Sequence, residues 1–137
     1  MALVVDASAL YAQADAAEPG HTAVARILQA ERGTLVTTEL AVAEADYLIL
    51  RRLGVDVELA FVQDLAVGTF LVECLSREEI RKARSLIERY RDLRLGLADA
   101  SLAVLAERYR TRRILTFDQR AFRVVEPLQG GTFTILP

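Results

Sequence analysis

The feature that most constrains this chain is an alternation, in which short β-branched runs are separated by longer stretches of helical period. Leu3-Val4-Val5, Thr34-Leu35-Val36, Thr69-Phe70-Leu71-Val72, Arg113-Ile114-Leu115-Thr116 and Phe133-Thr134-Ile135-Leu136 read as strands. Between them the apolar spacing predicts helices near 8–14, 21–32, 38–52, 55–67, 77–91 and 98–110. Ser76 and Glu79 form a capping-box signature for the fifth of these. Gly33 and Gly54 fall where helix C-caps are expected, and Pro19-Gly20 and Gly130-Gly131 mark turns. Strands that alternate with helices must bury both sheet faces, which predicts a three-layer α/β/α sandwich around a mainly parallel sheet of four to five strands. With 137 residues and no linker, repeat or low-complexity tract, one domain over 1–137 is expected.

Composition removes several function classes. No apolar run approaches the roughly 20 residues that span a bilayer, so no membrane association is expected. The N-terminus lacks a basic region before its apolar stretch, and the single cysteine, Cys74, permits neither an internal disulfide nor a thiolate cluster. A cytoplasmic location is the resulting expectation, with Cys74 as a small core residue. The net charge of −2 speaks against a nonspecific nucleic-acid coat protein. Of the 17 basic residues only Lys82 is lysine, and arginines crowd into 77–94 and 108–113. A guanidinium matches phosphate oxygens with a planar fork. Glu78, Glu79, Glu88 and Asp92 are interleaved with the first stretch, so a solvated, paired helix face is the simpler reading there.

The acids carry more information. In an open parallel sheet, ligands bind beyond the carboxyl ends of the strands. Asp6 directly follows the first strand, and Asp118 lies just past the fourth. Two acids at equivalent strand ends meet in one crevice if those strands are neighbours; turn and cap roles are the competing explanation. Asp99 shares a helix face with Leu102, Ala103 and Ala106, where an ionised carboxylate is costly unless paired or bound to a cation. Glu44 is flanked at helical spacing by Leu40, Ala41, Tyr47 and Leu48, but Asp46 is bracketed equally well by Val42, Ala43, Ile49 and Leu50. Periodicity alone leaves both open. Clustered carboxylates raise one another's pKa values, and a divalent cation relieves that repulsion. All-oxygen ligation favours Mg²⁺, with Mn²⁺ as the alternative, over zinc or copper.

Missing residues narrow the chemistry further. His21 is the only histidine, which excludes a two-histidine nuclease, and its place beside Pro19-Gly20 suits a catalytic triad poorly. Neither a G-x-x-x-x-G-K-[ST] loop nor a G-x-G-x-x-G fingerprint is present. If the chain cleaves nucleic acid, metal and carboxylates must do it.

Val4-Val5-Asp6-Ala7-Ser8-Ala9-Leu10 resembles the first motif of the PIN-domain family, a strand ending in aspartate followed by a small hydroxyl residue. The run Thr37 to Glu44 is similar to the second motif, with a glutamate one to two turns into a helix, and this favours Glu44 over Asp46. Leu95 to Ala103 resembles the third, centred on Asp99, and Thr116-Phe117-Asp118-Gln119-Arg120-Ala121-Phe122 the fourth. The order matches the family, and the VapC-type toxins in particular. That resemblance implies a magnesium-dependent endoribonuclease, often a homodimer, silenced by a cognate antitoxin protein. Within it Asp6, Asp99 and Asp118 are expected to ligate metal, and Glu44 to ligate or to position the attacking water. Ser8 and Thr116 are expected to orient carboxylates, or else to cap backbone locally. Arg120 is a candidate phosphate contact, with an ordinary surface arginine as the simpler alternative.

Three other functions compete. An aspartate-nucleophile phosphohydrolase normally needs a second aspartate two residues on, where this chain has Ser8, and a lysine near the phosphoryl group. A non-catalytic RNA- or protein-binding module is disfavoured because all four acids are present. A solitary ribonuclease without antitoxin fits the residues equally well. Finally, 38–67 holds more apolar residues than one buried face needs, in Leu48, Ile49, Leu50, Leu53, Val55, Val57, Leu59, Phe61 and Val62, which predicts an antitoxin groove or dimer contact there, with an ordinary core and second layer as the competing reading.

Overall fold

The computed structural model describes residues 1–137. In chain order its elements are β1 (Leu3–Val5), α1 (Ala7–Ala14), α2 (His21–Ala30), β2 (Leu35–Thr38), α3 (Glu39–Leu53), α4 (Val55–Ala66) and β3 (Leu71–Glu73). Then follow α5 (Arg77–Arg89), a 3-10 turn (Arg91–Leu93), α6 (Leu97–Arg108), β4 (Arg113–Leu115), α7 (Gln119–Val124) and β5 (Thr134–Leu136). The strands form one sheet in the order β3-β2-β1-β4-β5, and every pairing is parallel.

The order explains the burial. β1 is the central strand, and Leu3, Val4 and Val5 are fully buried, as a parallel strand covered on both faces requires. α1 packs on α2 and α3, and α3 packs on α4, while α5 pairs with α6. Right-handed crossovers put the helices of the β1→β2→β3 path on one face and those of the β3→β4→β5 path on the other. α6 is apolar on all sides, with every residue from Ala100 to Ala106 buried. Such a helix belongs at the centre of a layer rather than on a surface. No helix is long and apolar enough to cross a membrane.

Local differences from the sequence reading have physical causes. β2 runs on to Thr38, whose hydroxyl accepts from the Ala41 amide at 3.2 Å and so starts α3. α7 was not anticipated, because six residues are too few to display a period. Gly54, at φ 91°, ends α3 and begins α4, as expected of a C-cap. Gly33 is not a cap. α2 stops earlier, and a Cβ at Gly33 would lie 1.8 Å from the Met1 carbonyl oxygen. Cys74 is exposed rather than a core residue, because it leaves the sheet at the end of an edge strand. The capping box is formed, with Ser76 Oγ accepting from Glu79 N at 3.2 Å and the Glu79 carboxylate accepting from Ser76 N at 3.0 Å.

Candidate active site

The crevice follows from topology. β1 and β4 are adjacent, with Val5 opposite Leu115. The chain leaves β1 towards one side of the sheet and leaves β4 towards the other, so their carboxyl ends form a switch point, the place where open α/β sheets bind ligands. Asp6 is the first residue beyond β1, and Asp118 the third beyond β4. α3 starts directly from the end of β2, and the contact of Ser101 with Thr38 at that strand end brings the start of α6 to the same edge. The expected convergence of strand-end acids therefore has a geometric basis.

Asp6 is buried and held from three directions. Its Oδ1 accepts from the Ala7 amide at 2.7 Å, while its Oδ2 accepts from Thr116 Oγ1 at 2.6 Å and Ser8 Oγ at 3.0 Å. Thr116 Oγ1 also accepts from the Asp118 amide at 2.9 Å, and Ser8 Oγ from the Phe117 amide at 3.0 Å. Ser8 and Thr116 thus join the two strand ends as well as orienting the carboxylate. Burial pushes the Asp6 carboxyl up, the three hydrogen bonds pull it back, and Asp118 adds a smaller upward push. Of the roughly four lone-pair positions of a carboxylate, about one stays open. The loop after β4 is fixed by close packing, because a Cβ at Gly20 would meet the Phe117 ring at 2.1 Å.

Asp99 lies half-buried in the first turn of α6, whose N-cap, Gly96, offers no side-chain bond. Its carboxyl is pushed up to about 7, first by burial and then by Asp6, Asp118 and Glu44, against a weaker opposing pull from Arg120. Glu44 is pushed up by partial burial, then by Asp6 and Asp118, although much of its side chain is exposed. Asp46 points elsewhere. It sits between α3 and α4 beside Glu58, whose carboxyl it raises by hydrogen bonding. The buried face of α3 runs through Ala41, Ala45 and Ile49, so Glu44 is the acid at the crevice and not on the apolar face suggested by spacing.

Two further residues were missed by sequence reasoning. Thr38 Oγ1 and Ser101 Oγ lie 2.8 Å apart, and Ser101 Oγ donates to Ala98 O at 2.6 Å. They fasten the first turn of α6 to the end of β2 and thereby set the position of Asp99. A hydroxyl at a strand end and a serine in an otherwise apolar helix were the available signals. Arg120 is exposed, with its Nη2 3.5 Å from Leu93 O. His21, far from acting as a base, has Nδ1 2.7 Å from Ala12 O at the start of α2.

The donor set fits a hard divalent cation: four carboxylates and two hydroxyls, with no thiolate or imidazole among them. The fit is one of charge and chemistry, since no three His, Cys, Asp or Glu side chains close on a common point at ligating distance. The cation that opposes this negative charge at Asp99 is Arg120.

The PIN domain family model matches residues 3–127. Ribonuclease VapC26 of Mycobacterium tuberculosis (strain ATCC 25618 / H37Rv) is 45% identical over 135 residues, covering 98% of this chain and 100% of the relative. Among solved structures, M. tuberculosis VapC20, described as a Sarcin-Ricin loop cleaving toxin, superposes with a TM-score of 0.79 at 18% identity, over 87% of this chain and 93% of that one. VapBC2 from Rickettsia felis, bound to a DNA fragment from its promoter, gives 0.72 at 11% identity over the whole of both chains. FitAcB from Neisseria gonorrhoeae gives 0.57 at 15% identity, over 85% of this chain and 88% of that one. At those identities the structures speak for the fold, and the family match and the VapC26 relative carry the rest: the chain belongs to the PIN-domain family.

Proposed function

We propose that the protein is a divalent-metal-dependent endoribonuclease and the toxin of a toxin–antitoxin pair. The observation that carries this reading is the convergence of Asp6 and Asp118, at the carboxyl ends of the adjacent strands β1 and β4, with Glu44 and Asp99, where burial first and the neighbouring acids second push Asp99 up to about 7. The ribonuclease name of the 45% identical relative supports RNA as substrate. Asp6, Asp99 and Asp118 would hold Mg²⁺, or Mn²⁺, with Glu44 as a further ligand or as the group that orients water. Such an ion supplies charge neutralisation at the phosphodiester and a more acidic water.

The chain's own residues do the positioning. Thr116 and Ser8 fix the direction of the Asp6 carboxylate, so its open lone pair faces one way. Thr38 and Ser101 fix the start of α6, so Asp99 does not drift as charge enters the crevice. Arg120, the cation that acts on Asp99, would meet a phosphate oxygen of the substrate.

An antitoxin partner is supported by the VapBC2 complex among the structural neighbours. We place partner or homodimer contacts on α3 and α4, where Leu50, Val55, Leu59 and Val62 are exposed. The test is cleavage of an RNA and of its DNA counterpart by the purified protein, with Mg²⁺ and with chelator. Cleavage of RNA that stops on chelation is expected; cleavage that persists in chelator contradicts the metal role.

A further inference from the structure

The crevice has a basic neighbour that the acids do not explain. Arg84, Ile87 and Glu88 of α5, with Arg91 and Arg94 of the following turn, line an open cleft of about 260 Å³. Arg84 has only a loose contact with Glu88, at 3.7 Å, with both side chains largely exposed. No ion pair of the protein uses Arg91 or Arg94. Other arginines of the same stretch are engaged: Arg81 with Glu78 and Arg89 with Glu126. The paired, solvated face expected for this segment therefore describes most of α5 and not the turn that follows it.

The cleft is also joined to the acids. Arg94 adopts a left-handed backbone at φ 53°, which turns the chain from the 3-10 turn into α6. Leu93, between the two free arginines, presents its carbonyl to Arg120, and Arg120 acts on Asp99. Asp99 is five residue steps on from Arg94, at most about 18 Å of chain. At a rise of about 3.4 Å per nucleotide, roughly five nucleotides cover that distance.

We infer that Arg91 and Arg94, with Arg84 beside them, bind the phosphate backbone of the RNA strand that enters the acidic crevice, and that Arg120 is the step between cleft and crevice. This rests on the ribonuclease reading of the acids. Guanidinium forks without carboxylate partners are the groups free to take up phosphate oxygens. A chain of net charge −2 needs such a local positive surface to hold a polyanion beside four carboxylates.

The experiment measures binding in chelator, where no cleavage occurs, of a labelled single-stranded RNA of about 20 nucleotides across a salt series. Arg91→Ala with Arg94→Asn is the variant, asparagine being chosen because it tolerates the left-handed backbone. Arg32→Ala with Arg110→Asn is the control: Arg110 has the same φ of 53°, neither arginine is ion-paired, and the pair sits at the opposite edge of the sheet. The expected result is a loss of at least about tenfold for the cleft variant, with a salt slope shallower by roughly 1.4 for two lost contacts. The control should change by less than about a third of that loss. Equal losses in both variants, or none in either, overturn the proposal. Arg91→Gln alone gives the same direction of change should the double variant unfold. Failure of the wild-type protein to cleave RNA in Mg²⁺, with this binding pattern intact, would remove the nuclease reading and leave the cleft standing.

Discussion

Burial, and then the neighbouring acids, push the Asp99 carboxyl up from its ordinary value of 3.8 to about 7 in the folded protein. The folded protein therefore holds the proton over that window, so this contribution favours folding below about pH 4 and is lost as pH rises through 7. Asp99→Asn should raise the ion-free melting temperature more at pH 8 than at pH 5. After solvent screening the difference is on the order of 1–2 kcal/mol, or about 4–8 °C. Calorimetry of both proteins in chelator checks this, and saturating Mg²⁺ should reverse the ranking. Thr116 gives a second test, since its hydroxyl serves both Asp6 and the Asp118 amide. Thr116→Val should cost about 1–3 kcal/mol of stability and lower cleavage about 10–100-fold, with Thr116→Ser restoring most of both. Asp6 and Asp118 could be read from their strand ends. Glu44 could not, because burial of α3 follows Ala41, Ala45 and Ile49, and spacing does not tell which flank faces a crevice. Only its likeness to a family motif separated it from Asp46.

The elements show why strands and long helices were legible and junctions were not. β1 and α6 declare themselves because all of β1, and α6 from Ala100 to Ala106, is buried. The junctions depend on single contacts that no period records, such as Thr38 capping α3 while still paired in β2. α5 is tied down from outside. Arg108 of α6 donates to Glu79 at 2.6 and 2.9 Å, to Cys74 O at 2.9 Å, and also to Glu73. Arg108 is the main cause holding Glu79 at about 2, well below its ordinary value of 4.5. A depressed carboxyl stabilises the fold above pH 4.5 and loses that effect as pH falls towards 2. Arg108→Ala should therefore lower stability by about 1–2 kcal/mol at pH 7 and by less near pH 2, as urea titrations at the two values would show. Gly54 tests the α3–α4 corner. Nothing crowds a side chain there, yet φ 91° with ψ 176° suits glycine alone, so Gly54→Ala should cost about 1–3 kcal/mol through backbone strain.

For the whole molecule, topology brings four acids distant in sequence to the carboxyl edge of one sheet. The order β3-β2-β1-β4-β5 sets β1 beside β4 and splits the connections between two faces. Alternation predicted the layers and the parallel sheet, but not which strands are neighbours, because pairing order leaves no mark on local period. The arginines divide along the same lines: some brace α5 and α6, and others stand free beside the crevice. The central claim is that the four carboxylates form one metal-dependent centre for RNA hydrolysis. Its most direct measurement is the single-turnover rate of RNA cleavage against Mg²⁺ concentration for the wild type, Asp6→Asn and Asp99→Asn. A metal-dependent carboxylate centre predicts saturation in Mg²⁺ for the wild type and a rate lower by at least about 100-fold in both folded variants, a loss on the order of 3 kcal/mol in transition-state stabilisation. Cleavage by either variant at the wild-type rate and with the same Mg²⁺ dependence would contradict it.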